Sequence, residues 1–317
     1  MNILLFGADG QVGWELRRAL SPLGPVTALG RREADLEQPV APLIERQRPD
    51  LIVNAAAYTA VDRAEAEPER ALRINAGAVG EMADCAAALG ALLVHYSTDY
   101  VFDGRKPNDG SAAAAYSETD PTGPLSAYGR SKLAGEEAIR AAGCDHLILR
   151  TSWVYAARGG NFARTILQRA RTMDRLQVVA DTYGVPTHAE LLADVTALVL
   201  QQVQRARGAD APPQGRRDPA DLGTYHLVPG GSTTWHGYAS HLIELARAAG
   251  IALRVAPDAI APVPASTFPA AAQRPLNSRL DNRRLERRFG LALPDWRWHL
   301  ARFVDAVARE GGGAAGR

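Results

Sequence analysis

Residues 3–13 read Ile3-Leu4-Leu5-Phe6-Gly7-Ala8-Asp9-Gly10-Gln11-Val12-Gly13, and a helical pattern through Trp14, Leu16, Ala19 and Leu20 follows. Four apolar residues in a row predict a short strand buried on both faces. A glycine-rich turn joining such a strand to a helix is the setting in which a dinucleotide is held. Glycines let the backbone approach a pyrophosphate, and a helix N-terminus favours an anion. The spacing is G-x-x-G-x-x-G, so Gly7, Gly10 and Gly13 are candidate cofactor contacts.

Strand and helix patterns alternate onward from this turn. Val26–Leu29, Leu51–Val53, Ala91–Tyr96 and Leu147–Leu149 read as strands, with alanine-rich helical sequence from Val61 to Leu89 between the second and third of these. The alternation predicts an α/β fold with a doubly wound parallel sheet. Residues 1–150 are expected to form the dinucleotide-binding domain. Residues 151–310 are expected to be mainly a smaller substrate-binding domain, with elements near 176–228 returning to the first. Pro257–Pro275 should be extended and irregular, and 311–317 a disordered tail. An acidic residue that would take a ribose hydroxyl is expected near the end of the second strand. Here stand Gly30, Arg31 and Arg32. Two guanidiniums there would pair with a 2′-phosphate, so NADPH is expected to be preferred over NADH.

Tyr128 and Lys132 stand four residues apart and share a helix face. A cation about 4 Å from a phenol, at an effective dielectric of about 20, favours the phenolate by about 4 kcal/mol before desolvation. That would lower the tyrosine by about three pKa units, towards acid–base work at neutral pH. Ser97-Thr98-Asp99 closes a central strand, where ligands of open α/β sheets bind. The remaining composition is that of an ordinary globular protein. A net charge of +1 demands no nucleic acid. Cys85 and Cys144 make no disulfide framework and have no metal-ligand spacing. No apolar run is long enough to span a membrane, and the expected location is cytoplasmic.

These pieces together resemble the extended short-chain dehydrogenase/reductase superfamily, with its Rossmann-like fold. More narrowly, the chain is similar to the dTDP-4-dehydrorhamnose reductases. The segments that carry this are Phe6–Leu16, His95–Phe102, Arg150–Tyr155, Ala189–Asp194 and Arg274–Leu280, and the likeness reaches to about Trp296. The resemblance implies reduction of the C4 keto group of a dTDP-sugar, dTDP-4-dehydro-L-rhamnose, by NAD(P)H. It implies that Tyr128 donates the proton, Lys132 holds the nicotinamide ribose and Thr98 bonds the keto oxygen. Asp99, Trp153 and Arg274 would contact the sugar nucleotide. Gln11 and Val12 would lie along the pyrophosphate with Gly10, Asp35 and Leu36 near the adenine, and Ala57, Tyr58, Thr59 and Tyr96 around the cofactor.

The resemblance also implies a homodimer with Mg2+ at its interface, held by glutamates. Glu15 and Glu190 match two such positions, but the third falls at Arg297, which would repel the ion. Mg2+ is therefore expected to be dispensable. Two alternatives share the fold: a nucleotide-sugar epimerase or dehydratase that retains its NAD, and a non-catalytic regulatory subunit of the kind that partners methionine adenosyltransferase.

Overall fold

The structure, a computed structural model, describes residues 1–107, 114–207 and 222–312. Its centre is a parallel sheet of β1 (Ile3–Phe6), β2 (Val26–Leu29), β3 (Leu51–Asn54), β4 (Leu92–Thr98), β5 (His146–Thr151) and the strand Gly223–His226. Their order is Gly223–His226, β5, β4, β3, β1, β2. Helices α1 (Gln11–Leu20), α2 (Ala41–Gln47), α3 (Val61–Ala66), α4 (Pro68–Leu72), α5 (Ala78–Leu89) and α6 (Ala127–Ala142) connect the first five strands. Farther on come α7 (Phe162–Thr172), α8 (Ala189–Arg207) and α9 (Trp235–Ala248).

The apolar runs explain the two-sided layering. Ile3, Leu5, Leu51, Val53, Leu92 and Val94 pack on one face with Leu16 of α1 and Leu192 and Val199 of α8. Leu4, Phe6, Ile52 and Leu93 pack on the other face with Val79, Met82 and Ala86 of α5. Burial of each such Leu or Ile contributes about 1.5–3 kcal/mol, so register is set strongly on both faces. The chain leaves β1 to one side for β2 and to the other for β3. That reversal opens a crevice at the carboxyl ends of β1 and β3, where ligands of such sheets bind.

Several sequence expectations are refined. The helical stretch from Val61 to Leu89 is broken into α3, α4, a π-helical turn at Arg73–Gly77 and α5. Pro68 begins α4, where its missing N–H costs nothing. Within 257–275, Ile260–Val263 is a strand parallel to Leu176–Val179 rather than irregular chain. The Leu176–Val179 segment therefore joins a separate small pair, whereas Gly223–His226 adds to β5 in the main sheet. A second apolar cluster gathers Tyr155, Ile166, Leu167, Leu242, Trp296 and Phe303. The last helix runs Trp296–Gly312, into the start of the expected tail, and 313–317 lie outside the described residues. Among the described residues no helix is long and apolar enough to cross a membrane.

Candidate active site

The glycine-rich turn is built by close approach. Gly7 sits at φ +81°, and a Cβ there would lie 2.6 Å from the Ala56 nitrogen. A Cβ on Gly13 would lie 2.0 Å from the Gly7 carbonyl oxygen. Gly13 therefore seats α1 on the turn, and it does not line the cavity. Helix α1 begins after Gly10 with no side-chain cap and no acidic residue in its first turn, so its leading N–H groups face outward. A cavity of about 780 Å³ opens from this turn along the sheet's carboxyl edge. That volume falls within the range of small-ligand sites.

Most of the residues expected from sequence meet on this wall. Gly7, Gly10, Gln11 and Val12 line one end, with Arg31, Asp35 and Leu36 beside them. Ala57, Tyr58 and Thr59 follow β3, and Tyr96, Thr98, Asp99, Tyr128, Lys132 and Trp153 complete the far end. Asn75 fixes the β3 loop by bonding the Tyr58 backbone twice, accepting from its N–H at 2.9 Å and donating to its carbonyl at 3.1 Å.

Ser126 caps α6, accepting from the Gly129 N–H at 3.1 Å, and so starts the helix at the point that presents Tyr128. Tyr128 and Thr98 line the same end of the cavity. Thr98 donates to the Asp99 carboxylate at 3.0 Å. Burial pushes the Tyr128 phenol up to about 12, with the Thr98 hydroxyl pulling down and the Asp99 charge pushing up. The expectation that Lys132 lowers this phenol is thus corrected. The Lys132 nitrogen instead meets His95 Nε2 at 3.0 Å and donates to the Tyr96 carbonyl at 2.7 Å. A protonated phenol is the right form for a proton donor. Asp99 is driven up to about 6 by burial, against the bonds from Ser278 and Thr98.

The remaining candidates do not line the cavity. Arg274 pairs with Asp62 at 2.6 Å. Tyr100 lines the cavity. Arg31 borders the cavity and Arg32 does not. Glu15 and Glu190 are held by cations: Glu15 by Arg18 at 3.7 Å, and Glu190 by Arg302 at 2.8 Å. Arg297 pairs with Asp295 at 3.1 Å.

Sequence reasoning missed Trp235, Arg158 and Asp9, which all line the cavity. Trp235 stacks on Trp153 with ring centres 3.5 Å apart and 12° between planes. The two residues lie on distant elements, and no sequence pattern links them. Trp153 itself is held at φ +47°, an uncommon setting for an aromatic residue. Arg158 lies 3.9 Å over the Trp14 ring, at the mouth near Gln11. Its position in Arg158-Gly159-Gly160, just after a strand, was the one available signal. Asp9 reaches beside Gly30, where a Cβ would lie 2.0 Å from its carboxylate oxygen.

Comparison with known proteins meets this geometry from a separate direction. The family model described as the RmlD substrate binding domain matches residues 1–309. A dTDP-4-dehydrorhamnose reductase of Burkholderia thailandensis is 48% identical over 300 residues, covering 94% of this chain and 96% of its own. A crystal structure of a dTDP-4-dehydrorhamnose reductase from Clostridium acetobutylicum superposes with a TM-score of 0.84 at 31% identity, covering 97% of this chain and 99% of its own. Another, from Bacillus anthracis in complex with NADP, has a TM-score of 0.79 at 30% identity, covering 95% of this chain and 98% of its own.

Proposed function

The chain belongs to the dTDP-4-dehydrorhamnose reductase family, and from that we propose how its cavity works. The protein reduces the C4 keto group of dTDP-4-dehydro-L-rhamnose with NAD(P)H, giving dTDP-L-rhamnose. The glycine cradle fits such a cofactor. Gly7 and Gly13 let the strand, the turn and α1 pack closely, and the uncapped α1 N-terminus suits a pyrophosphate. When bound, the cofactor supplies a hydride to the carbonyl carbon.

The chain's own residues do the rest. Tyr128 gives its phenolic proton to the oxygen as negative charge develops there. Thr98 donates to the same oxygen, turning its proton away from Asp99 to do so. Lys132 would hold the nicotinamide ribose, and Gln11, Val12, Ala57, Tyr58, Thr59 and Tyr96 would contact the cofactor. Trp153 and Asp99 contact the sugar nucleotide, and the Trp153–Trp235 stack makes an apolar wall beside it. The single observation that carries this reading is the meeting of Tyr128, Lys132 and Thr98 on one cavity wall at the carboxyl end of β4. Oxidation of NADPH that depends on the dTDP-4-keto sugar tests it. Turnover without consumption of added cofactor would favour an internal redox cycle instead.

Cofactor choice rests on a balance. Arg31 lines the cavity, but it already pairs with Glu37 at 2.7 Å and with Asp35 at 3.8 Å. The Asp9 carboxylate beside Gly30 stands where a 2′-phosphate would be repelled. An exposed charge contact is worth about 1 kcal/mol, so the expected preference for NADPH is at most about fivefold in kcat/KM. Arg31→Ala should remove it through KM for NADPH, and Asp9→Asn should widen it. Steady-state kinetics with both cofactors decide, and an unmodified protein that uses NADH equally well contradicts the role given to Arg31.

Mg2+ is proposed to be dispensable, because Arg302 and Arg18 occupy the two glutamates. The homodimer is proposed with it. Dialysis against EDTA should leave both the dimer, measured by sizing, and the activity intact. Loss of either that Mg2+ restores would overturn this.

A further inference from the structure

Beneath Lys132 lies a chain of hydrogen bonds whose donors and acceptors cannot all be satisfied if the lysine is charged. Asn54 closes β3, His95 lies on β4, and the two are direct partners in the parallel register. Asn54, His95 and Lys132 are each at most 2% exposed. The Asn54 Oδ1 accepts from the Ala56 N–H at 3.0 Å, which fixes the amide. Its amino group then faces His95 Nδ1 at 3.1 Å. An amide NH2 can only donate, so Nδ1 must be the unprotonated nitrogen and Nε2 carries the proton of the neutral ring. That Nε2–H points at Lys132 Nζ, 3.0 Å away. An ammonium has no lone pair to receive it. A neutral amine does, and it can still donate to the Tyr96 carbonyl.

The reverse arrangement has a cost. A charged Lys132 needs the Nε2 lone pair, which moves the ring proton to Nδ1, against the Asn54 amino group. Relief requires the amide to turn over and abandon the Ala56 N–H, a part-buried bond, with an unsatisfied donor left behind. Other groups pull the opposite way or are already engaged. Glu136, one turn along α6, favours the charged lysine, but Arg150 of β5 and Arg140 each hold it at 2.6 Å. Tyr128, one turn back, is a protonated phenol. Burial brings Lys132 down to about 8, with Glu136 partly offsetting, and holds His95 neutral through ordinary pH.

We propose that Asn54 and His95 are positioning residues that set the charge state of Lys132 through the His95 tautomer. Asn54 selects the Nε2–H form, and that form favours the neutral amine. The consequence for turnover rests on the roles given above to Tyr128 and Lys132. If the charged lysine is the working form, the Asn54–His95 pair fixes the pH above which activity falls.

Two measurements test this on the whole protein. The first is the pH profile of kcat at saturating NADPH and dTDP-4-keto sugar. The unmodified protein should lose activity above about pH 8. In Asn54→Asp the carboxylate accepts from both the Ala56 N–H and a His95 Nδ1–H, leaving the Nε2 lone pair for an ammonium. The basic limb should rise by one pH unit or more. In His95→Gln the side-chain carbonyl can face the lysine, and the limb should rise likewise. A lower kcat with the limb unmoved, in either folded variant, would mean a merely structural role and overturn the proposal. The second needs no activity: nitrogen-15 NMR of the histidine rings in the unmodified protein at pH 9. His95 should show Nδ1 unprotonated and Nε2 protonated, and the opposite tautomer overturns the proposal. A protein that fails to oxidise NADPH with this sugar refutes the reductase mechanism and leaves the tautomer result to stand or fall separately.

Discussion

Tyr128→Phe is expected to lower kcat by about 100-fold or more while leaving NADPH affinity nearly unchanged. The substitution removes one hydroxyl and keeps the ring, which packs edge-on against Tyr100 at 5.5 Å. The cavity wall therefore stays in place. What is lost is the phenolic proton on the wall that Thr98 shares, at the oxygen where charge must develop. Thr98 remains, so residual activity above the uncatalysed rate is expected. Lys132→Ala should act differently, because its amine lies between His95 and the Tyr96 carbonyl, against the cofactor side. It should weaken cofactor binding as well as kcat. Turnover of the Phe variant near that of the unmodified protein would eliminate Tyr128 as the proton donor.

Glu136→Gln is expected to destabilise the protein by about 3–5 kcal/mol at neutral pH. Glu136 is fully buried, and Arg150 is 3% exposed. The guanidinium donates through Nε at 2.8 Å and Nη2 at 2.6 Å, and Ser97 adds a third bond at 2.6 Å. Removing the carboxylate charge leaves Arg150 buried without its partner, and that is the main cost. Replacing both residues with apolar ones of similar volume should restore a good part of it. The pH dependence has a definite sign. Burial raises the Glu136 carboxyl, but Arg150 and Ser97 outweigh it and hold the carboxyl below its ordinary value. Its stabilisation is therefore present above that ordinary value, about 4.5. It is lost as pH falls through the depressed value. Urea titrations should show a full gap between the two proteins at pH 7 that closes on acidification. Equal stability at pH 7 would show that the ion pair contributes nothing. The pair also ties α6 to β4 and β5, so the same variant should loosen Tyr128 and lower kcat.

The sheet and the glycine turn were legible because their signals are local. Apolar runs specify strands buried on both faces, and Gly7 and Gly13 are required by approaches that no other residue permits. Tyr128 and Lys132 were legible as a pair because helical spacing alone brings them to one face. The direction of the lysine was not, because it depends on the register that sets His95 beside Asn54. Arg31 and Arg32 looked equivalent in sequence, and only the folded chain shows that Arg31 alone borders the cavity. Trp235 was invisible for a similar reason. Its stack on Trp153 arises only when α9 packs back across the mouth of the sheet.

The central claim is that hydride passes from an added cofactor to the sugar's C4 while the chain supplies the proton. NADPH carrying deuterium at its transferable position tests this most directly, with the product read by NMR. One deuterium at C4 of dTDP-L-rhamnose is expected for each NADP+ formed, with near-complete loss of that product in Tyr128→Phe. Conversion of the sugar with no deuterium at C4 and no net NADPH consumed would contradict it.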